Sequence, residues 1–268
     1  MQLKTIKIYA IYILLSILSL STSAFALEEN TKIANLFKSS QTSGTFVVYD
    51  VEKKKFTGYN YARAKTRYSP ASTFKIANSL IGLATNSVSS VDDVLPYKGD
   101  EKPLVSAWKH DMGLRQAIKI SNVPIYQELA RRIGLKQMKK GVMNLEYGNQ
   151  EIGEKIDRFW LDGPLKISAL EQIKFLTKLI QNSLPLQKKI QESVRDILML
   201  EQGENWKLYG KTGWQNAPNS GIGWFVGWLE KENKFYVFAL NMDINEPLDA
   251  KKRVELTKES LKFVGLIQ

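Results

Sequence analysis

The stretch Ser69-Pro70-Ala71-Ser72-Thr73-Phe74-Lys75 separates two parts of the chain with different residue patterns, and the predicted fold is built around it. Serine is a favoured helix N-cap and proline fits the first helical position, so a helix is predicted to begin at Ser69. The residues that follow are apolar on most sides of such a helix, which predicts that it is central and buried. They include Phe74, Ile76, Ala77, Leu80, Ile81 and Leu83.

Patterns of period two on both sides of this helix predict β-strands. Before it, residues 45–50 and 56–60 are typical of a β-hairpin. Near the C terminus, three consecutive strands are predicted over residues 206–213, 223–230 and 234–242.

The middle of the chain is predicted to be mainly helical. One helix is predicted from Val123 to Ile133, and Ser168 with Glu171 forms a capping box at the start of another. Two further predicted helices span about residues 186–200 and 249–264.

Strands at both ends with helices between them predict an α+β fold, in which an antiparallel β-sheet is flanked by helices and carries an inserted helical subdomain. The sheet subdomain is predicted over about residues 27–87 and 185–268, and the helical subdomain over about 88–184. The two form one domain, residues 27–268, which is long enough for a sizeable core.

The first 26 residues have the layout of a secretory signal peptide. Lys4 and Lys7 precede an apolar run, residues 8–20, and Ala24-Phe25-Ala26 matches an A-x-A cleavage site. A membrane anchor is the alternative, but the apolar run is shorter than the roughly 20 residues that a transmembrane helix needs. We therefore expect an exported protein, periplasmic in a Gram-negative cell, without stable membrane association after cleavage near Ala26.

The composition argues against several kinds of site. The chain has no cysteine, so it can form no disulfide and no thiolate metal site. Its single histidine, His110, lies in a polar stretch and is expected at the surface, which argues against a Ser-His-Asp triad and a histidine zinc site. We predict no metal. The net charge of +11 is spread over dispersed lysine pairs without a nucleic-acid-binding motif, so we predict no nucleic-acid partner.

Three short motifs occur in order along the chain: Ser72-Thr73-Phe74-Lys75, Ser121-Asn122-Val123 and Lys211-Thr212-Gly213. One Ser-x-x-Lys motif is weak evidence, because Ser106 and Lys109 form a second one. All three motifs in this order predict a serine acyl-transfer site that uses lysine, and not histidine, for its base chemistry.

The predicted helix places Ser72 and Lys75 together. The N–H of Ser72 is among the unpaired donors of the first turn, near the positive end of the helix dipole. Lys75 lies one turn further on the same face, so its amine can reach the serine oxygen. A lysine base has to be neutral, and burial against Phe74, Val123 and Trp160 lowers its pKa. Taken alone, Ser72 would be an ordinary capping residue.

The third motif places a cation, a hydroxyl and an open backbone on one strand, which suits an anionic substrate along the strand edge. The N–H of Trp214 can join that of Ser72 in an oxyanion hole. Ser121 offers a hydroxyl in a turn before Pro124. Taken alone, Ser121 would be a loop serine and Lys211 an exposed charge on a strand.

These motifs resemble those of the class D (oxacillinase-type) serine β-lactamases, over essentially the whole chain after residue 26. Tyr147-Gly148-Asn149 matches the family's Tyr-Gly-Asn element, and residues 159–163, Phe-Trp-Leu-Asp-Gly, match its Trp-x-x-Gly segment. Residues 223–228 match the strand beside the Lys-Thr-Gly strand. The resemblance implies a fold like that of serine β-lactamases and penicillin-binding transpeptidases.

The resemblance also implies roles for individual residues. Ser72 would be the nucleophile, and Lys75 would carry a carbamate (N6-carboxylysine) that acts as the general base in acylation and deacylation. Trp160 would donate its indole N–H to the carbamate, with Val123 beside it. Carbon dioxide or bicarbonate is the only small molecule that this chemistry requires as a cofactor.

Substrate contacts are implied in the same way. Ser121 would pass a proton toward the β-lactam nitrogen, with electrostatic support from Lys211. Thr212, Gly213 and Arg253 would bind the substrate and its carboxylate.

Three of the implied sites keep a structural alternative. Arg253 would otherwise be an exposed helix charge, and Trp160 an ordinary core residue. For Tyr147 and Asn149, a structural turn is as good an interpretation as direct chemistry.

The implied function is hydrolysis of β-lactam antibiotics through an acyl-enzyme, which confers antibiotic resistance. The partner is a small-molecule β-lactam, and the protein is a monomer or a homodimer. One alternative is a β-lactam-binding sensor domain that acylates but barely deacylates; the predicted cleavable leader argues against it. A peptidoglycan carboxypeptidase is the other, and the Tyr-Gly-Asn and Phe-Trp-Leu-Asp-Gly segments argue against that.

Overall fold

The computed structural model describes residues 27–268. The predicted signal peptide, residues 1–26, lies outside the described residues. Within residues 27–268, no helix combines the length and the apolar character that crossing a membrane requires.

Seven strands form one sheet in the order β1-β3-β2-β7-β6-β5-β4. The strands are β1 (Leu27–Glu29), β2 (Gly44–Asp50), β3 (Lys55–Tyr59), β4 (Met199–Gln202), β5 (Trp206–Trp214), β6 (Gly221–Lys231) and β7 (Lys234–Ile244). Neighbouring strands are antiparallel, except that β1 runs parallel to β3. The parallel pairing of β1 makes the sheet mixed. This short first strand was not recognisable from its sequence.

Helices cover both faces of the sheet. They are α1 (Thr31–Ser39), α2 (Tyr61–Lys65), α3 (Lys75–Ala84), α4 (Leu114–Lys119), α5 (Val123–Ile133), α6 (Leu135–Asn144), α7 (Ala169–Ile180), α8 (Lys188–Asp196) and α9 (Lys252–Phe263). The terminal helices α1 and α9 pack together, and α9 also packs on β6 and β7. Their apolar side chains share a core that includes Phe37, Phe46, Phe238 and Leu261.

A second, larger core lies between the sheet and the other helices. Helix α7 packs on β7, β2 and β6, while α3 packs against α5, α6 and α8. Nine consecutive residues of α3, Lys75–Leu83, are buried, which confirms the predicted central helix.

Several other sequence predictions are confirmed. The hairpin and the three C-terminal strands are present, with ends within two residues of the predicted ones. Helix α5 has the predicted bounds, and Ser168 and Glu171 form the predicted capping box of α7. The α+β fold with helices inserted between the strands is therefore confirmed.

The predicted start of the central helix is wrong. Ala71 has a φ of +47°, in the left-handed region, so the chain cannot run as one α-helix from Ser69. A 3₁₀ helix, Ala71–Phe74, comes first, and α3 begins at Lys75. The hydroxyl of Ser69 does not cap a helix; it donates to the backbone carbonyl of Trp160 at 3.0 Å.

The helix predicted over residues 186–200 is too long. Helix α8 ends at Asp196, and Met199–Gln202 forms the edge strand β4, paired with β5. Pairing with an existing sheet edge outweighs the local helical pattern of these residues. The division into subdomains stays a prediction, and the packing of α7 on the sheet favours a boundary before α7 instead of near residue 184.

Candidate active site

The first motif forms a compact turn with a short lysine–serine hydrogen bond. Ser72 lies in the first turn of the 3₁₀ helix, directly after the left-handed Ala71. The amine of Lys75 donates to the Oγ of Ser72 at 2.6 Å, and the Lys75 side chain is fully buried. The N–H of Ser72 lies at the helix start, where backbone donors lack intrahelical acceptors.

Burial and a neighbouring cation favour the neutral form of Lys75. Burial, reinforced by the positive charge of Lys211, holds the pKa of Lys75 well below its usual range. Burial, together with the charge of Arg253, also lowers the pKa of Lys211 to about 7. The neutral form of Lys75, which the shift in its own pKa favours, has a lone pair available for a proton or an electrophile.

The third motif lies at an open strand edge. The N–H of Gln215 donates to the carbonyl of Ile222 at 2.9 Å, so the odd-numbered residues of this part of β5 pair with β6. Thr212 and Trp214 therefore direct their N–H and C=O groups to the opposite side. Strand β4 does not extend that far, since its first residue, Met199, pairs with Tyr209. An extended ligand can hydrogen-bond along this edge.

Gly213 allows the first motif to pack against this edge. A Cβ atom at Gly213 would lie 3.0 Å from the carbonyl oxygen of Pro70 and 3.2 Å from the Cγ2 of Thr73. A larger residue would push the turn that carries Ser72 away from β5. The two backbone donors proposed for an oxyanion hole, on Ser72 and Trp214, thus belong to segments in close contact.

One cleft of about 710 Å³ brings the three motifs together. The sequence-predicted residues that line it are Ser72, Ser121, Val123, Thr212, Gly213, Trp214 and Arg253. Lys211 is 5% exposed, and its amine donates to the carbonyl of Thr212 at 2.9 Å. Ser121 has a φ of +56°, so its backbone, like that of Ala71, is held in an unfavourable conformation at the site.

Arg253 and its neighbour Lys252 point to different partners. The Arg253 guanidinium donates to the carbonyl of Gly213 at 2.5 Å and lies 5.9 Å from the centre of the Trp214 ring. Burial lowers the pKa of Arg253 to about 10, so it stays charged at neutral pH. Lys252 instead forms an ion pair with Asp249 at 2.8 Å. Arg253 is thus the cation of this helix that faces the cleft.

Trp160 is fully buried and holds an unpaired donor. Its ring stacks on Phe74 at 5.5 Å with an interplanar angle of 26°. Its indole Nε1 has no hydrogen-bond acceptor among the described residues. A buried N–H without an acceptor is costly, so this donor suits an anionic acceptor next to it. Trp160 itself does not line the cleft.

The Tyr-Gly-Asn element does not line the cleft. Asn149 donates to the carbonyl of Pro164 at 2.9 Å and accepts from the N–H of Lys166 at 2.9 Å. Tyr147 is fully buried, with its ring edge-on to Phe74. The element thus fixes the chain after the Trp160 segment and packs behind the nucleophile turn.

Sequence reasoning missed part of the cleft wall. Trp108 and Leu161 also line it, and Trp108 is held by a hydrogen bond from its indole N–H to the carbonyl of Ile120 at 2.9 Å. An aromatic residue in a polar loop was the only signal for Trp108. His110 is exposed as predicted, and no group of histidine, aspartate and glutamate within residues 27–268 is arranged to hold a metal ion.

Comparisons with known proteins agree with this geometry. The family model for the penicillin binding protein transpeptidase domain matches residues 34–262. Beta-lactamase OXA-10 of Pseudomonas aeruginosa is 37% identical over 265 residues, which cover 97% of this chain and 99% of that protein. Beta-lactamase OXA-48 of Klebsiella pneumoniae is 35% identical, with 99% of this chain and 100% of that protein covered.

A solved structure gives the same result. The class D β-lactamase FUS-1 (OXA-85) from Fusobacterium nucleatum subsp. polymorphum superposes with a TM-score of 0.86 at 45% identity, covering 90% of this chain and 100% of that chain. The sequence similarity extends over nearly the whole chain, and the fold and the lysine–serine cleft are shared. Together these findings establish that this chain belongs to the class D serine β-lactamases.

Proposed function

We propose that the protein hydrolyses β-lactam antibiotics through an acyl-enzyme on Ser72 and a carbamylated Lys75, and that it confers antibiotic resistance. The observation that carries the proposal is the 2.6 Å hydrogen bond between Ser72 and the fully buried Lys75. A serine hydroxyl in contact with a neutral lysine is an activated nucleophile and needs no histidine as its base.

Acylation follows from the cleft geometry. The Oγ of Ser72 attacks the β-lactam carbonyl and loses its proton to the base at Lys75; the ring C–N bond then breaks. Ser121 passes a proton to the leaving nitrogen, with electrostatic support from the protonated form of Lys211. The N–H groups of Ser72 and Trp214 bind the oxyanion. Thr212, at the open edge, and Arg253 bind the substrate carboxylate.

The surroundings of Lys75 fit a carbamate. The neutral amine of Lys75 can add to carbon dioxide with loss of a proton, and the unpaired Nε1 of Trp160 is a suitable donor to the resulting anion. When present, this group supplies the general base. Val123 and Phe74 would shield this group from bulk water, and the indole N–H of Trp160 would stabilise its negative charge by a hydrogen bond.

Hydrolysis also requires that water attack the acyl-enzyme. A base beside Ser72 serves this second step, which separates a hydrolase from a sensor domain that stays acylated. The predicted leader, residues 1–26, would deliver the enzyme to the periplasm, where a secreted enzyme meets the antibiotic. The proposed substrate is a small-molecule β-lactam, and the oligomeric state, monomer or homodimer, stays a prediction.

Turnover with protein far below the substrate concentration tests the proposal. A chromogenic β-lactam should be hydrolysed many times per protein molecule. A single stoichiometric burst without further turnover would instead identify a sensor. Release of the terminal residue from a D-alanyl-D-alanine peptide, with no β-lactam turnover, would identify a carboxypeptidase.

Replacing Arg253 with alanine is expected to raise KM more than it lowers kcat, because the guanidinium binds the carboxylate equally in the ground and transition states. The expected loss is about 1.5–3 kcal/mol, the range for a charge-assisted hydrogen bond. Steady-state kinetics on a penicillin provide the measurement. Lys252→Ala is the matched control, and a larger effect in that variant would contradict the assignment of Arg253.

Replacing Trp160 with phenylalanine keeps an aromatic ring against Phe74 but removes the indole N–H. Activity in buffer depleted of carbon dioxide is expected to fall, and added bicarbonate should restore it more than in the wild type. The carbamate is expected to weaken by about 1.5–3 kcal/mol. Trp228→Phe is the control, since Trp228 is also buried but lies outside the cleft. Its ring stacks on that of Tyr209 with 4.8 Å between the ring centres. Equal bicarbonate responses in the two variants would argue against this role for Trp160.

A further inference from the structure

Three buried polar side chains lie behind the nucleophile turn, and none of them lines the cleft. Thr73 follows Ser72 directly, Gln172 lies on α7, and Tyr147 follows α6. Thr73 is 1% exposed, and the other two are fully buried. Buried polar side chains are nearly always hydrogen-bonded, so the partners of this cluster indicate what it holds in place.

The hydroxyl of Thr73 donates one hydrogen bond and accepts another, and the donor of each can be identified. Its Oγ1 lies 2.7 Å from the carbonyl oxygen of Pro70, which can only accept, so the hydroxyl proton is used there. The Nε2 of Gln172 lies 2.8 Å from the same Oγ1 and must therefore donate to it. The second proton of this amide faces the hydroxyl of Tyr147 at 3.3 Å. The order is Gln172 to Thr73 to Pro70.

Pro70 begins a strained turn. The next residue, Ala71, has a φ of +47°, and Ser72 follows. A residue with a side chain keeps this conformation only when its surroundings hold it. The indole N–H of Trp224 holds the carbonyl of Ser69 at 2.9 Å, and the hydroxyl of Thr73 holds that of Pro70. Hydrogen bonds to two successive carbonyls thus fix the chain segment that leads to Ser72.

The same carbonyl lies against the catalytic strand. A Cβ atom at Gly213 would come within 3.0 Å of the oxygen of Pro70, so the turn and β5 are in direct contact. A shift of the Pro70 carbonyl changes the separation between the N–H of Ser72 and that of Trp214. These are the two donors of the proposed oxyanion hole, where small displacements reduce the rate strongly.

Tyr147 supports the network as a neutral hydroxyl. Burial raises the pKa of Tyr147, and hydrogen bonding with Thr73 and Gln172 opposes the rise only in part. At neutral pH it therefore keeps its proton and is unsuited to acid–base chemistry. Its ring lies edge-on to Phe74 at 5.5 Å and to Phe175 at 5.1 Å, which fixes the hydroxyl beside the Gln172 amide.

We propose that Gln172 is a positioning residue for the oxyanion hole: its amide, oriented by Tyr147, aims the hydroxyl of Thr73 at the carbonyl of Pro70 and thereby places the N–H of Ser72. This assigns the Tyr of the Tyr-Gly-Asn element a role at the nucleophile without contact with the substrate. The inference rests on the proposed function, because it requires that Ser72 be the nucleophile.

Two substitutions at Thr73 and one at Gln172 test the proposal. Thr73→Val removes the hydroxyl with little change of shape, and Thr73→Ser keeps it. Gln172→Met removes both amide donors. Gln191→Met is the matched control, because Gln191 is also fully buried and its amide bonds the carbonyls of Leu184 and Leu186, away from the cleft.

Single-turnover acylation by a chromogenic β-lactam, binding of a boronic acid that forms a tetrahedral adduct on Ser72, and thermal unfolding are measured for each variant. Thr73→Val and Gln172→Met are expected to acylate about 10–100-fold more slowly. Their boronic acid affinity should fall by a similar factor, while the dissociation constant for the initial β-lactam complex stays within threefold. Thr73→Ser should acylate within threefold of the wild type.

The control separates positioning from stability. Gln191→Met should lower the unfolding temperature while its acylation rate and boronic acid affinity stay unchanged. Equal acylation losses in Gln172→Met and Gln191→Met, or wild-type acylation by Thr73→Val, would overturn the inference. The wild type keeps the two proposals apart: if it neither turns over the chromogenic β-lactam nor shows a penicillin adduct on Ser72 when quenched within the first turnover, the proposed function fails instead.

Discussion

Replacing Ser72 with alanine is expected to abolish both β-lactam turnover and covalent labelling by penicillin. The amine of Lys75 lies 2.6 Å from the Ser72 oxygen, and the substitution removes the atom that this contact activates. Loss of a serine nucleophile reduces kcat by about six orders of magnitude in a well-studied hydrolase. Intact-mass spectrometry after incubation with penicillin, together with steady-state turnover, provides the measurement.

The second Ser-x-x-Lys motif supplies the control for this experiment. Ser106 and Lys109 are exposed, and Lys109 forms an ion pair with Glu101 at 2.5 Å. Ser106→Ala should therefore label and turn over like the wild type. In susceptible cells, export of the wild type and of Ser106→Ala should raise the tolerated penicillin concentration, and Ser72→Ala should not. A stable acyl adduct on Ser72→Ala would show that another residue is the nucleophile.

The parts of the fold with strong local signals could be predicted from the sequence. The alternating pattern of β5, β6 and β7 defined three neighbouring strands, and the capping box at Ser168 defined the start of α7. These signals depend on residues a few positions apart. The edge strand β4 lacked such a signal, because its four residues are all exposed and only the pairing with β5 gives them their conformation.

In the candidate site, too, the contacts between residues close in sequence could be predicted. Ser72 and Lys75 lie three residues apart, so helical spacing alone brought them together. The supports of the site are distant in sequence: Gln172 and Thr73 are separated by 99 residues, and Trp224 and Ser69 by 155. The left-handed Ala71 was missed because alanine gives no local sign of that conformation. The contacts of Gln172 and Trp224 form only when the sheet and its helices have assembled, so no local pattern predicts them.

Replacing Lys75 with alanine is expected to leave slow acylation and to trap the acyl-enzyme. The backbone N–H groups of Ser72 and Trp214 remain to bind the oxyanion, whereas no base is left to activate the hydrolytic water. Loss of a general base reduces a step by about 10²–10⁴-fold. The measurement is intact-mass spectrometry over time, which should show an adduct that persists in Lys75→Ala and disappears from the wild type. Lys109→Ala, from the second Ser-x-x-Lys motif, should deacylate normally.

The pH dependence distinguishes a carbamate from a plain amine. Burial, aided by Lys211, lowers the pKa of Lys75, which favours the neutral amine; the amine becomes protonated as the pH falls through that lowered value. Acid reverses carbamate formation: the carbamate takes up a proton and releases carbon dioxide, and protonation of the freed amine removes the lone pair that would add carbon dioxide again. Activity at pH of about 5–6, far below the ordinary lysine range, is therefore expected to fall and to recover in part with added bicarbonate. Carbon-13 bicarbonate should label Lys75 in the active enzyme. An enzyme that shows neither the label nor the bicarbonate response would be using the free amine as its base.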